Sequence, residues 1–432
     1  MPKPLPIALD RSAKTPLSEQ IRKAIVTAID NGVLVPGARL PSWLDLAAQL
    51  GVARGTVRAA YDRLSDTQHI VSSKANGTSV ARRPGKAAKP DAPVAPGSVV
   101  EMFHDLTGQG HFRMGVPAQD SLPAKLLARI RARAVRAELS AVSRYGDPRG
   151  ELELRREIAA HLAIARGVEC SPAQIVVTSG FSGGLGLALR VLGLEGRRAW
   201  MEDPGFPLTR KGLELARLEL VAVPVDGNGI DVDHGLKHAP DAALAVVTPG
   251  QQAPLGPPLS AARRAQLLDW ATQTGGWIIE DDYLGELQLD GRAAPALASL
   301  DRTGRVIHLG SFSKTISPTL RLGFLVAPEP LAAEFADVAT CLVPAPGPAV
   351  QLSTAEFMRD GHYIRHLRRT KQAYCDNRDA LTSALRPWSN DVRVAGLAVM
   401  LTLPDQAGDV EIARQVLAHG LAPAPLSPWY LS

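Results

Sequence analysis

RVIHLGSFSKTISPTLRLG, residues 305–323, opens as a short apolar strand and runs into a lysine flanked by hydroxyls. Ser311 and Ser313 precede Lys314, and Arg321 follows seven residues later. A strand-end lysine with hydroxyls and a guanidinium for a phosphate dianion is what the aldehyde of pyridoxal phosphate requires of a protein. A second strand, GWIIEDDY (276–283), ends in Glu280-Asp281-Asp282-Tyr283. A carboxylate there pairs with the pyridine nitrogen and keeps it protonated, and a tyrosine two residues on donates to the ring's 3-oxygen. A lone Ser-x-Ser-Lys is usually a surface turn and an Asp pair is usually solvated. The two together, each closing a strand, make those bland readings improbable.

Outward from this pair the same pattern repeats. QIVVTSG, RAWMED, LELVAVP, AALAVVTP and RLGFLVAP are further short apolar strands, with amphipathic segments between several of them. Strands alternating with helices predict an α/β domain with a largely parallel sheet and ligands at the strand ends. At 432 residues, 45% hydrophobic and 21% charged, the chain has room for two or three domains and a sizeable core. No apolar run of membrane-spanning length occurs and the N-terminus has no signal-peptide core, so a cytoplasmic protein is expected. Cys170, Cys341 and Cys375 are scattered and odd in number; they fit no disulfide framework and no zinc site, and are expected to be buried free thiols.

The net charge of +5 is unevenly spread. Residues 1–90 hold 14 Lys/Arg against 6 Asp/Glu, and the remainder is slightly acidic. A basic head on an acidic body is the footprint of a DNA-binding module attached to a sensing one. Within the head, Thr15-Pro16 predicts a helix start, and Ile21, Ala24, Ile25, Ala28 and Ile29 follow at helical spacing. Ser42 with Asp45 resembles a capping box for a second helix through Leu50. Gly51 supplies a tight turn, and a third helix is predicted from Arg54 to Ser65. IVSSKANGTSV then predicts two short strands around Asn76-Gly77. Helix, helix, turn, helix and hairpin make a winged helix-turn-helix over residues 1–81. Arg82–Glu101 is rich in Pro, Ala and Gly and is expected to be an exposed tether, with the large domain running from 102 to 432.

The head segment LSEQIRKAIVTAIDNGVLVPGARLPSWLDLAAQLGVARGTVRAAYDRL resembles the GntR family of regulators along its length. The body segments RYGDPRGELELRREIAAHL, IVVTSG, MEDPGFP, VTPGQQAPLG, WIIEDDY and GSFSKTISPTLRLG resemble the MocR subfamily, whose body is a pyridoxal-phosphate-dependent aminotransferase domain of fold type I. The resemblance covers nearly the whole chain except the tether. It implies a third helix in the major groove of an operator, with Arg54, Thr56 and Arg58 facing the bases and Arg39 and Lys74 on phosphates. It makes Lys314 the Schiff-base lysine, Asp281 the pyridine-nitrogen partner, Tyr283 the 3-oxygen donor and Phe206 the residue stacked on the ring. Ser182 and Gly183, with Ser311, Ser313 and Arg321, would hold the phosphate. Tyr145 would reach the phosphate of a neighbouring subunit, which implies a homodimer.

The chain departs from the subfamily at several places. Leu44 stands where an arginine is usual. Gln251, Ala253 and Leu255 replace a His, an aromatic and a Thr in the TPGQQAPLG loop. After DVEIARQVLAHG the chain runs APAPLSPWYLS, where relatives continue with a strand bearing a carboxylate-binding arginine and a final helix. Arg210 is a weaker candidate for contact with a ligand. The expected function is a transcription regulator that binds DNA through its head and senses an amino compound, or the cofactor itself, through its body. The alternative is a working aminotransferase with an appended DNA-binding head.

Overall fold

The computed structural model describes residues 7–73, 77–81, 98–107, 110–141, 145–289, 291, 293–389, 391–404 and 407–432. It divides into two compact units, 1–96 and 97–432.

The head is three helices and a two-stranded wing: α1 (Leu17–Asp30), α2 (Trp43–Leu50), α3 (Arg54–Asp66), β1 (Ile70–Ser73) and β2 (Gly77–Val80). The apolar positions read from the sequence converge, with Ile21, Ile25, Leu46, Val57 and Leu64 fully or almost fully buried in one cluster. Ser42 accepts from the Asp45 amide at 3.1 Å and donates to its carboxylate at 2.6 Å, a closed capping pair at the start of α2. Gly51 ends α2 in the left-handed region at φ 62°, which permits the abrupt turn into α3. The start of α1 differs from expectation. Its N-cap is Pro16, with no side-chain cap, while Gln20 reaches back to the carbonyls of Asp10 and Thr15 at 2.8 Å. The Pro16 carbonyl already receives the amides of Glu19 and Gln20, so the Thr15 hydroxyl is not needed as a cap.

Val99–Thr107 forms helix α4, so the last residues of the expected tether are helical, and an amphipathic VVEMFHDL stretch is the reason. There follow α5 (Ala124–Ser140), α6 (Leu152–Ala165), β3 (Ile175–Thr178), α7 (Phe181–Leu192), β4 (Arg198–Asp203), α8 (Pro207–Leu215), β5 (Glu219–Asp226) and β6 (Gly229–Ile230). Next come α9 (Val232–His238), β7 (Leu244–Val247), α10 (Ala261–Thr274), β8 (Trp277–Asp282), β9 (Val306–Ser311) and β10 (Gly323–Val326). The chain then adds α11 (Ala332–Leu342), α12 (Pro348–Arg359), α13 (His362–Leu385), the hairpin β11 (Val392–Ala395) and β12 (Ala398–Leu401), and α14 (Asp409–Leu417).

Strands β3 to β10 form one sheet in the order β3-β10-β9-β8-β7-β4-β5-β6. Pairings from β9 through β5 are parallel, whereas β10 runs antiparallel to both β9 and β3, and β6 antiparallel to β5. Both faces are covered, as continuous apolar runs such as Ile175–Val177 require. Ile158, Val177, Phe324 and Phe357 pack on one side, while Leu185, Met201, Ile307 and Phe335 belong to a second cluster. A third is built on Trp200 stacked against Trp270, centroids 4.3 Å apart. The three cysteines are free but not buried as expected: Cys341 is exposed and the other two are half-buried. Among the described residues no helix is long and apolar enough to cross a membrane.

Candidate cofactor site

The parallel strands deliver their last residues to one edge of the sheet. β4 ends at Glu202-Asp203, β7 leads into Thr248, β8 ends at Asp281-Asp282, and β9 ends at Ser311. Register explains the grouping: Val247 pairs with Glu280, and Asp282 with Gly310. Lys314, on the turn after β9, is partly buried and donates from Nζ to the Gly115 carbonyl at 2.6 Å. Burial holds its amine below the ordinary lysine range; the charge of Asp281 opposes this, and that of Arg113 adds to it. Gly115 has φ 73°, and a Cβ there would run into the lysine, so only glycine lets the loop pass this close.

Asp281 is buried, and no hydrogen bond reaches its carboxylate among the described residues. Burial drives its pKa well above the carboxylate range, and the charges of Asp282 and Glu202 push further the same way. An unpartnered buried carboxylate is costly unless a cation pairs with it, so the residue suits a protonated ring nitrogen. Tyr283 is held in its phenol form by burial, and then by the charge of Asp281, which keeps it a donor. The N-terminus of α7 forms the opposite wall. Ser182 and Gly183 lie in its first turn, and Gly180, its N-cap, supplies no side-chain cap. A Cβ on Gly180 would stand 4.0 Å from the Arg321 guanidinium, and Ser311 accepts from the Ser313 amide at 3.2 Å. Free helix amides, two serines and an arginine make a fitting cradle for a phosphate. The residues present thus fit pyridoxal phosphate at both its ring and its phosphate end.

Phe206 lies at the N-cap of α8, just beyond β4, with its ring 5.5 Å from that of Trp429. Trp429 belongs to a C-terminal segment that folds back over this turn. The Gly205 amide donates to the Trp429 carbonyl at 3.0 Å, and Asp203 accepts from the Leu431 amide at 2.6 Å. Arg210 donates to the carbonyls of Tyr430 and Pro428 at 3.0 and 3.1 Å. Its guanidinium, a weaker candidate for contact with a ligand, is thus engaged in part by backbone. Tyr145 is fully exposed and meets none of the other site residues within the chain.

Sequence reasoning missed Glu202. It is 5% exposed, takes hydrogen bonds from the Thr248 amide and hydroxyl at 3.1 and 2.6 Å, and burial pushes its pKa up to about 7. Gln252 donates to the Pro204 carbonyl at 2.7 Å and to Glu202 at 3.4 Å, tying the 248–257 loop to β4. Gln251, the His replacement, is buried against Gly396 of the β11–β12 turn, where a Cβ would overlap its amide. Beneath the site runs a buried ionic network. Arg166 grips Asp282 through Nε and Nη2 at 2.7 and 3.1 Å. Glu280 accepts from the Leu297 and Ala298 amides at 2.6 and 2.9 Å and faces His308 Nδ1 at 3.0 Å.

On the head, Arg54 and Arg58 are exposed at the start of α3, Thr56 is half-buried beside them, and Arg39 is exposed where it bridges to Ser79 of the wing. The Arg58 guanidinium lies 6.0 Å from the Trp43 ring centroid, and Leu44 beside it is 43% exposed. Lys74 lies outside the described residues.

Comparisons with known proteins agree with this geometry. The family of bacterial regulatory proteins, gntR family, matches residues 17–80, and the family aminotransferase class I and II matches residues 111–422. The chain is similar to the probable rhizopine catabolism regulatory protein MocR of Rhizobium meliloti, 32% identical over 98% of this chain and 88% of that protein. It is also similar to the HTH-type pyridoxine biosynthesis transcriptional regulator PdxR of Corynebacterium glutamicum, 34% identical over 88% of this chain and 81% of that protein. Among solved structures, an archaeal alanine:glyoxylate aminotransferase superposes with a TM-score of 0.70 at 27% identity, covering 77% of this chain and 86% of that one.

Proposed function

The chain belongs to the MocR type of gntR-family transcription regulators, with an aminotransferase class I and II body, and from that premise we propose that the body holds pyridoxal phosphate and answers to an amine-bearing effector. The observation that carries the proposal is Asp281, a buried carboxylate without a hydrogen-bond partner, placed with Lys314 where the carboxyl ends of the parallel strands meet. When bound, the cofactor supplies an aldehyde carbon that condenses with primary amines and a ring that draws electrons from the product. The chain's own residues then have separable tasks. Lys314 presents an amine whose neutral form, the form that acts as a nucleophile, is favoured by burial. Asp281 keeps the ring nitrogen protonated, and Tyr283 donates to the 3-oxygen. Phe206 stacks on the ring, while Ser182, Gly183, Ser311, Ser313 and Arg321 bind the phosphate. Tyr145, exposed on its own chain, is assigned to the phosphate of a partner subunit in a homodimer.

The head binds a double-stranded operator, with Arg54, Thr56 and Arg58 at the major groove and Arg39 and Lys74 on the backbone. An effector amine taking the place of Lys314 on the bound cofactor would free the lysine's amine and change the charge and contacts around it, and that difference would shift the DNA-bound state. The test is a titration of the full chain with pyridoxal phosphate, followed by visible absorbance. The wild type is expected to develop the band of lysine-bound cofactor, Lys314→Ala to show none, and Asp281→Ala to bind at least about tenfold more weakly. Cofactor binding that leaves operator affinity unchanged by every amine tried would overturn the regulatory half. Sustained turnover of an amino donor with 2-oxoglutarate would instead favour an aminotransferase, the activity named for the solved structure of like fold.

A further inference from the structure

Behind the lysine turn lies a small chamber of about 20 Å³, lined among others by Asp282, Tyr283, Glu286, His308, Thr315 and Tyr363. Three atoms of these side chains are buried without a hydrogen bond of good geometry, His308 Nε2, Glu286 Oε2 and Thr315 Oγ1, although the Tyr363 hydroxyl interacts with both Glu286 and Thr315. His308 is 1% exposed and Thr315 4%. Orphaned buried polar atoms are rare in folded proteins, and three on one cavity wall call for a common partner. A single water needs roughly 10–15 Å³ and two to four polar neighbours. Both conditions are met, whereas cavities that stay dry are lined by apolar side chains.

We propose that this chamber is a binding site for one internal water, shared by His308 Nε2, Glu286 Oε2 and Thr315 Oγ1. The hydrogen placement follows from the neighbours. Glu280 is an acceptor, already holding two backbone amides, so His308 Nδ1 at 3.0 Å carries a proton toward it. Burial lowers the His308 pKa, but the charge and hydrogen bond of Glu280 together with the charge of Asp282 hold it above its ordinary value, and in the imidazolium form Nε2 carries a second proton. In that form the water accepts from Nε2 and donates to Glu286, and with neutral His308 it donates to Nε2 instead, with the Thr315 hydroxyl completing the set. Asp282 Oδ2 stands 3.9 Å from Nε2, but its carboxylate is already gripped by Arg166. His161 Nε2 lies 2.9 Å from the other Glu286 oxygen, and the Tyr363 hydroxyl faces both Glu286 and Thr315. A metal ion fits less well, because His308 and Arg166 bring positive charge and no metal-ligating cluster occurs among the described residues.

The position of the water gives it a mechanical role. Thr315 follows Lys314 directly, and its carbonyl already accepts from His366 Nε2 at 2.8 Å. Adding the water anchors the same residue through its side chain to His308 within β9 and to Glu286 in the segment after β8. Thr315 and His308 are thus positioning residues for the lysine turn, and the site stands whether or not a cofactor is bound.

The experiment is a set of crystal structures of the cofactor-free full chain, wild type, Thr315→Ser and Thr315→Val, at a resolution that shows ordered waters. Hydrogen exchange of the 312–317 amides on the same proteins gives a second readout. The expected result is one peak within hydrogen-bonding distance of all three atoms in the wild type, kept in Thr315→Ser. In Thr315→Val that peak is displaced or lost and the turn exchanges faster, while distant strands exchange as before. An empty chamber in the wild type, or a peak with the short distances and anomalous signal of a metal, overturns the proposal. So does a valine variant with unchanged water and exchange. If the valine chain does not fold, the wild-type and serine structures still decide the matter.

Discussion

Glu202 and Asp281 end strands that flank β7, and burial raises the pKa of each. The consequence for stability has a definite sign. In the unfolded chain Glu202 loses its proton near 4.5, whereas in the fold it keeps it to about 7. Between those values the native state binds more protons, so stability falls as pH rises through the window. For Glu202 alone the loss is on the order of 3 kcal/mol across it, and Asp281 adds to it in the same direction. Denaturant unfolding of the cofactor-free protein from pH 4.5 to 8 is expected to show this decline, and Glu202→Gln to flatten it. A variant with the same slope as the wild type would mean that Glu202 does not titrate there. The contrast with Lys314 shows what a sequence discloses about single residues. Lys314, Asp281 and Tyr283 could be singled out as candidates because each stands at or just past the end of an apolar run and their chemistry is complementary. Glu202 stood in plain view in MEDPGFP, but a buried carboxylate and a solvated one are spelled alike. What buries it is the 248–257 loop, which is distant in sequence and whose hydrogen bonds only the fold reveals.

At the scale of elements, periodicity and capping recovered most of the architecture, and the misses have local causes. α2 and α3 were legible because Ser42, Asp45 and Gly51 are strong boundary signals that nothing overrides. The cap of α1 was misplaced by one residue because Gln20, a side chain ten positions from its partner, ties down the leading segment. The first three residues of α4 were read as tether because its helical pattern begins inside a Pro- and Ala-rich stretch. The antiparallel β10 cannot be told from a parallel strand by composition, since both its faces are buried. The C-terminal segment was legible only as sequence, without its hold on Asp203, Gly205 and Arg210, since backbone carbonyls and amides make those contacts. On the head, Leu44 leaves an exposed apolar side chain at the start of α2, one residue after the ring beneath Arg58. If that face meets the DNA backbone, Leu44→Arg adds a cation where the resemblance to the family leads one to expect an arginine. It is expected to tighten binding and to steepen the dependence of log affinity on log salt by about 1. Measuring operator and unrelated DNA side by side separates the two kinds of contact: a phosphate contact tightens both equally, whereas a base contact favours one sequence. No change in slope would place Leu44 off the interface.

At the scale of the whole molecule, a basic head and a slightly acidic body have separate cores and separate family matches. Neither unit's chemistry requires the other, so regulation has to be a coupling free energy between two sites. Such coupling is reciprocal by thermodynamic necessity. If an effector amine changes operator affinity by some factor, operator DNA must change amine affinity by the same factor. Couplings of this kind typically amount to 1–3 kcal/mol, or about 5- to 150-fold. The decisive measurement is therefore a pair of titrations at one salt concentration, because DNA affinity shifts steeply with salt. Operator binding is followed with and without saturating amine, and amine binding, by the visible band of the bound cofactor, with and without saturating operator. Equal factors, and no effect of amine on the operator affinity of Lys314→Ala, would locate the switch at the lysine. A response that survives in the alanine variant would mean the amine acts elsewhere on the chain. If operator affinity ignores the amine altogether while the cofactor band responds to it, the body does chemistry that the head does not hear.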